Sequence, residues 1–323
     1  MSTSPLSLGR GGFNWRSFFE TYGLVLSLLL LCLVLSLASD RFLTVDNLLN
    51  VLRQASINGI ISIGMMLVIL IRGLDLSVGS VLALATVIAA DLLARGTVDP
   101  LGAILVALLV GAAAGAVNGA LVTWVKIPPF IATLGMMTFA RGAALQYTGG
   151  QPITGLGDLG EGFRYLGSAT VGIVPVPIIV AGLMYFLAYL LLNHVPFGRF
   201  LYATGNNEEA AFLSGLPIKS IKMFAYMASG MLAALAGVIL VGRLNSATPT
   251  AGQLFEFDAI AAVVVGGTSF NGGEGSIWGT LIGVLIIAVL NNGLNLLQVP
   301  SFYQDIASGV VIALALLLYR LIR

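Results

Sequence analysis

Long apolar runs separated by short polar segments dominate the pattern along the chain. Charge-free or nearly charge-free runs occupy 21–39, 54–71, 76–90, 100–125, 127–140, 171–193, 223–242, 259–273, 275–297 and 306–319. A helix needs about 20 mainly apolar residues to cross a bilayer, so these runs predict about ten transmembrane helices. The shorter runs must borrow flanking residues or form broken helices, which are tolerated where protein or a water-filled cavity covers the backbone.

Composition agrees with this pattern. Hydrophobic residues make up 58% of the chain and charged residues only 9%, which is far from the balance of an ordinary soluble domain. We therefore expect an all-α polytopic membrane protein, embedded in the lipid bilayer, with some helices broken or re-entrant. Residues 1–20 are interpreted as a cytoplasmic tail, 21–323 as a single transmembrane domain, and 194–222 as its cytoplasmic loop.

The distribution of Lys and Arg predicts the orientation. An even number of spans places both termini on one side, and short cytoplasmic loops carry an excess of these residues. With the amino terminus inside, the inner segments hold the larger group (Arg10, Arg16, Arg72, Lys126, Arg199, Lys219, Lys222, Arg320 and Arg323) and the outer segments the smaller one (Arg41, Arg53, Arg95, Arg164 and Arg243). Both termini are therefore predicted to be cytoplasmic.

Several functional classes find no support in the sequence. None of the three lysines stands in a GxxxxGK[ST] phosphate loop, and no clustered catalytic or metal-binding set is visible, so no enzyme activity, metal or cofactor is expected in this chain. The net charge of +1 gives no hint of nucleic-acid binding. Acids near span interiors are few, with Asp75 and Asp91 the candidates, which weakens a secondary carrier but leaves it open.

A polar island, GNNEEAAFLSGLPIKSIK at 205–222, interrupts the apolar pattern. Asn206 or Asn207 can cap a helix whose first turn holds two glutamates, and Gly215 with Pro217 ends it after about two turns. The island combines small residues suited to close docking with two apolar ones suited to contact: Ala210, Ala211, Ser214, Phe212 and Leu213. We expect a helix docked against the membrane domain, with a face left for another protein; a solvated loop is the alternative.

Polar residues within the apolar runs are candidates for a translocation pathway. They are Asn58, Asp75, Asn118, Phe130, Thr133, Asn291 and Asn295, with Phe130 included for its place beside Thr133 in IPPFIATLGMM. Amides suit a polar, uncharged solute because they offer donors and acceptors without a buried charge. Each residue has a structural alternative: helix capping for Asp75, core packing for Phe130 and Thr133, and hydrogen bonds between helices for the amides.

A glycine cluster at 266–275 follows an apolar, strand-like run. So many glycines make one continuous helix unfavourable, which predicts a break in the backbone. Such a break must be buried or line a cavity, so we expect it near the pathway.

Taken together, GLDLSVGS, IPPFIATLGMM, GNNEEAAFLSGLPIKSIK, FDAIAAVVVGGTSFNGGEGSIWGTLIG and LNNGLNLL resemble the permease subunit of the ribose-type ATP-binding-cassette importers over about 40–320. The resemblance implies a multi-pass protein of the bacterial cytoplasmic (inner) membrane that pairs with a second permease copy. It also implies a cytoplasmic ATPase that binds ATP and Mg²⁺, and a periplasmic sugar-binding protein.

In that family the cytoplasmic loop carries a helix that couples the permease to the ATPase. The positions that match are Gly205, Asn206, Glu208, Ala210, Ala211, Ser214 and Gly215. The implied solute is ribose or a similar pentose. Another sugar, a nucleoside, a small polar solute or a stand-alone secondary carrier remain alternatives.

Overall fold

The computed structural model describes residues 15–156 and 161–300 together with residues 303, 306, 309 and 310, and it is mostly helical. Its helices are α1 (Trp15–Ala38), α2 (Val45–Leu70), α3 (Val78–Ala94), α4 (Pro100–Thr123), α5 (Pro129–Thr148), α6 (Glu161–Ser168), α7 (Val176–Asn193), α8 (Pro196–Asn206), α9 (Glu208–Leu213), α10 (Ile218–Leu244), α11 (Phe255–Val265) and α12 (Ile277–Leu296). The strands β1 (Ile153–Thr154), β2 (Thr170–Val171), β3 (Val174–Pro175) and β4 (Ser246–Ala247) form two antiparallel pairs, β1 with β4 and β2 with β3.

Five described helices, α2, α4, α7, α10 and α12, are long and apolar enough to cross a membrane, and Tyr22–Ala38 and α3 are shorter apolar helices. These helices confirm a multi-pass helical architecture. Helix α5 covers most of the predicted run at 127–140 and continues beyond it, so that the helix contains Arg141. The run at 306–319 lies almost entirely outside the described residues, so the count of about ten spans stays a prediction.

The strand-like run before the glycine cluster is helical. Residues 259–265 belong to α11, whose 11 residues extend about 16 Å at 1.5 Å per residue, roughly half of a bilayer core. Tertiary packing overrides the β-propensity of its valines, because α11 lies against α12 where Gly266 meets Gly279. The predicted backbone break is confirmed at 266–276, between these two helices.

Helix α2 lies at the centre of the fold. Its residues from Gly59 to Leu70 are all buried, and it packs against α7, α10, α11 and α12. A helix that is apolar on every side is stable only when other helices surround it. The end of α2 is therefore fixed in the interior, and the turn that follows it begins there.

Among the described helices, α4 and α10 share the most extensive contact. Gly111, Gly115 and Gly119 repeat every four residues along α4, and a Cβ atom at Gly115 would overlap the backbone carbonyl of Tyr226. A Cβ atom at Gly111 would overlap the carbonyl of Gly230 in the same way. Small residues at such spacing let two helix backbones approach closely inside a membrane, and this contact brings polar groups of α4 and α10 together.

We predict that Gly115→Ala destabilises the protein, because the added methyl group must push α10 away. Overpacking of this kind costs about 1–3 kcal/mol. Gly182→Ala on α7 is the matched control, since nothing lies within 4 Å of a Cβ atom there. Thermal unfolding in detergent should show a lower midpoint for Gly115→Ala alone, and equal midpoints for the two variants would contradict the close contact.

Candidate functional site

A buried carboxylate lies in the turn between α2 and α3. Asp75 is 1% exposed. Its Oδ1 accepts hydrogen bonds from the backbone N–H of Ser77 at 3.0 Å and from Ser77 Oγ at 2.6 Å, while Oδ2 accepts one from Ser229 Oγ at 2.8 Å. Such donors offset the cost of removing a carboxylate from water. The turn is thereby attached to the middle of α10.

Two more pathway candidates join this turn. Asn118 on α4 donates from Nδ2 to Ser77 Oγ at 2.9 Å, and Thr133 on α5 donates from Oγ1 to the carbonyl of Leu74 at 3.1 Å. The structure therefore brings Asp75, Asn118 and Thr133 together, although the first and the last are 58 positions apart in the sequence. The capping interpretation of Asp75 is correct in part, since its carboxylate binds the N-cap residue of α3, Ser77, rather than the first helical turn.

The other pathway candidates lie elsewhere. Asn58 lies on α2, Asn291 and Asn295 lie on α12, and Phe130 is half exposed at the start of α5. Asn292, next to Asn291 on α12, forms an amide pair that links two helices. It exchanges hydrogen bonds of 2.9 and 3.0 Å with Asn47 at the start of α2. A contact of Asn58, Asn291, Asn295 or Phe130 with solute stays a prediction.

A second buried carboxylate was missed by sequence reasoning. Glu256, at the start of α11, is 6% exposed and lies beside Gly79 of α3. Near it, Arg141 donates from Nη1 to the carbonyls of Pro249 at 2.6 Å and Ala251 at 2.9 Å, which holds the segment after β4 against α5. The sequence did carry a signal for this acid. Arg141 lies inside an apolar helix, where a buried charge needs a partner, and FEFD at 255–258 offers two acids. The remaining acid of the sequence prediction, Asp91, pairs with Arg95 at 2.9 Å instead.

The polar island forms the predicted short helix. The side chain of Asn207 accepts the N–H of Ala210 at 3.0 Å, α9 runs Glu208–Leu213, and Gly215 follows at φ +82°. Phe212 and Leu213 are 67% and 78% exposed. Ala211 is buried, because the helix rests on this side against the rest of the protein, whereas Ala210 and Ser214 are exposed.

An ion pair fixes α9 to α10. Lys222 Nζ lies 2.7 Å from both carboxylate oxygens of Glu208. The Lys222 side chain is largely buried and that of Glu208 is half exposed. The amino terminus of α9 therefore carries a negative charge that is favourable to the helix dipole and also binds the neighbouring helix.

Gly205 and Asn206, assigned to the coupling loop by resemblance, lie at the end of α8 and not on α9. They form a junction with the end of α2 and the 266–276 loop. Arg72 Nη2 donates to the Asn206 carbonyl at 2.7 Å, and the N–H of Gly273 donates to the Leu70 carbonyl at 2.9 Å. A Cβ atom at Gly205 would overlap the Leu70 carbonyl, so only glycine permits this approach.

Tyr202 supports the same junction from α8. Its hydroxyl donates to the carbonyl of Gly275 at 3.0 Å. Burial raises the pKa of the Tyr202 phenol above its usual range. The hydroxyl consequently remains a donor throughout the physiological pH range, and the glycine break predicted to lie near the pathway lies in contact with α8.

A cavity of about 960 Å³ lies between α9, the 71–73 turn and the 122–129 connection from α4 to α5. Its wall is mainly apolar. Its polar members are Arg72, Thr123, Lys126, Glu208, Glu209, Lys219, Ser220, Lys222 and Tyr226. Among the described residues, no group of three or more His, Cys, Asp or Glu side chains is placed to hold a metal ion.

Comparison with known proteins finds similarity over nearly the whole chain. The ribose import permease protein of Bacillus subtilis is 48% identical over 320 residues, which cover 99% of each chain. Those of Haemophilus influenzae and Escherichia coli are each 47% identical and cover 98% of this chain, with 95% and 98% of their own lengths matched. No solved structure matches this chain.

The match to a family of transport proteins is similarly extensive. The family described as the permease component of the branched-chain amino acid transport system matches residues 47–316. That range contains the buried Asp75 network, the α8–α9 segment and the glycine break. The chain therefore belongs to this family of transport-system permeases. The ribose import permeases match 98–99% of the chain and so extend the similarity beyond residues 47–316.

Proposed function

We propose that this chain is the membrane permease of an ATP-binding-cassette importer that carries ribose or a similar pentose across the inner membrane. The similarity to ribose import permeases over 98–99% of the chain carries this proposal. Branched-chain amino acids, which the family description names, are the less favoured solutes. The network of hydroxyls and amides around Asp75 suits a protein that handles neutral polar solutes.

Energy enters through α9 in this proposal. Phe212 and Leu213 expose large apolar side chains on a helix that also holds two glutamates and two alanines. Exposed apolar groups beside charges are typical of a protein-binding surface. A cytoplasmic ATPase that binds ATP and Mg²⁺ is the partner proposed for this surface.

The basic residues beside α9 support an orientation in the membrane. Arg72, Lys126, Lys219 and Lys222, which are distant in the sequence, line one cavity beside α9. Such an accumulation is favoured on the cytoplasmic side of a membrane protein, and it supports the proposal that α9 faces the cytoplasm; cytoplasmic termini and about ten spans are proposed with it. On the opposite side, a periplasmic sugar-binding protein would dock on the outer loops, and a second permease copy would complete the pathway.

Movement of α9 has a short route to the interior. Glu208 binds Lys222 on α10, and Asn206 binds Arg72 at the end of the central helix. Asp75 follows three residues after Arg72 and is bound to Ser229 of α10. We infer that ATP-driven displacement of α9 moves the 71–77 turn and α10 together, which alternates access to the pathway.

Reconstitution tests this function. Liposomes that contain the permease with its ATPase and ribose-loaded binding protein should accumulate labelled ribose only with ATP on the ATPase side. Uptake should require the binding protein as well. Accumulation driven by an ion gradient without ATP would contradict the proposal and identify a secondary carrier.

Gly215→Glu should abolish uptake while the protein still inserts. Glycine at φ +82° adopts a left-handed conformation that costs other residues about 1–2 kcal/mol, and glutamate adds a charge beside the proposed docking surface. Gly215→Asn is the control, because asparagine tolerates this conformation. Uptake by Gly215→Glu at the rate of Gly215→Asn would count against coupling at this position.

Leu213→Ala should weaken association with the ATPase by roughly 5-fold or more if Leu213 is a main contact residue. Leu37→Ala is the matched control, since Leu37 is 81% exposed on α1, an apolar helix suited to contact lipid. Co-purification and binding-protein-stimulated ATP hydrolysis provide the measurements. A similar effect of both substitutions would exclude a specific role for α9.

A further inference from the structure

The glycine break between α11 and α12 contains a closed turn. The N–H of Ser269 donates to the carbonyl of Glu274 at 2.9 Å, and the N–H of Gly272 donates to the carbonyl of Ser269 at 3.0 Å. The N–H of Asn271 also donates to Ser269 Oγ at 3.3 Å. These hydrogen bonds fix the shape of residues 269–274, which we call the 269–274 turn.

The base of the 269–274 turn is bound to the ends of α2 and α8. The N–H of Gly273 donates to the carbonyl of Leu70 at 2.9 Å, and Asn206 donates from Nδ2 to the carbonyl of Gly273 at 3.3 Å. Gly272 and Gly273 have φ angles of +75° and +74°, which glycine adopts without strain. Asn206 immediately precedes the residue that caps α9, so the turn and α9 lie on the same side of the protein as neighbours.

The tip of the turn exposes an aromatic side chain beside polar ones. Phe270 is 39% exposed, and Asn271 and Glu274 are exposed on the same turn. The carboxylate favours a position in water, because a charge is costly among lipid chains. Aromatic side chains are enriched in the cores of protein interfaces, and a group held on a preorganised turn loses little freedom when it binds. The tip is therefore suited to contact another protein.

The surface of α9 is too small to hold the ATPase by itself. The helix has six residues, and Ala211 among them is buried, whereas a stable protein interface takes about 20–30 residues from each partner. The interface must therefore extend onto the surface that surrounds α9. The 269–274 turn borders α9 there, because it is hydrogen-bonded to the last residue of α8.

We propose that the 269–274 turn is a second docking surface for the cytoplasmic ATPase, and that Phe270 inserts into an apolar pocket with a polar rim on that subunit. This inference rests on the proposed function. Contacts at two separate elements fix the orientation of the ATPase, whereas a single short helix would leave it free to pivot. In this mechanism the ATPase acts on α10 through Glu208 and Lys222, and on the end of α2 through Gly273 and Leu70.

Phe270→Ala should weaken binding of the purified ATPase to the full-length permease in detergent, raising its Kd roughly 5-fold or more, as expected when an aromatic contact residue is truncated. Phe257→Ala is the matched control. Phe257 is 44% exposed and lies at the opposite end of α11 from the glycine break, so the same substitution there should leave the Kd unchanged. The thermal midpoint of Phe270→Ala should stay close to that of the unaltered protein.

Cross-linking provides a measurement that does not depend on affinity. Cys32 is the single cysteine of the chain, so Cys32→Ser gives a background without thiols. In that background, a benzophenone is attached to the thiol of Phe270→Cys before the ATPase is added. Illumination should link the permease to the ATPase, whereas the same label on Phe257→Cys should give no such product.

Each contrary result has a distinct meaning. Equal Kd values for Phe270→Ala and Phe257→Ala, with no product from Phe270→Cys, would leave the importer function and the α9 contact intact and remove the second surface alone. Products with lipid only would assign the ring to the bilayer surface. Weaker binding with a lower thermal midpoint and no product would assign Phe270 a structural role. An unaltered permease that binds no ATPase would remove the proposed function, and the second surface with it.

Discussion

The hydrogen bonds to the buried Asp75 carboxylate determine how the centre of this protein is held together. A carboxylate away from water is stable only when it is well hydrogen-bonded, and here the donors come from Ser77 and from Ser229. Ser229 reaches the turn because α10 approaches α4 across glycines, where Gly115 lies against the Tyr226 backbone. The small residues of α4 thus position the donor, and the carboxylate in turn fixes the end of α2 to α10.

This arrangement links the surface to the interior over a short distance. Arg72 belongs to the same turn as Asp75 and binds Asn206 at the end of α8, while Leu70 binds Gly273 of the glycine break. A packed junction of this type has few ways to deform gradually. In the proposed mechanism, displacement of α9 would therefore reach the turn as a rearrangement of hydrogen bonds, with the buried network as the element whose equilibrium it biases.

Sequence reasoning succeeded where local signals determine structure. The asparagine cap before α9 and the glycine break after α11 depend on neighbouring residues, and both were predicted. It failed where the outcome depends on which face of a helix meets a partner. Asn292, which the sequence analysis did not single out, links two helices, and its neighbour Asn291 does not form this bond. Ser229 lies in an apolar run whose pattern carries no sign of the carboxylate that it binds.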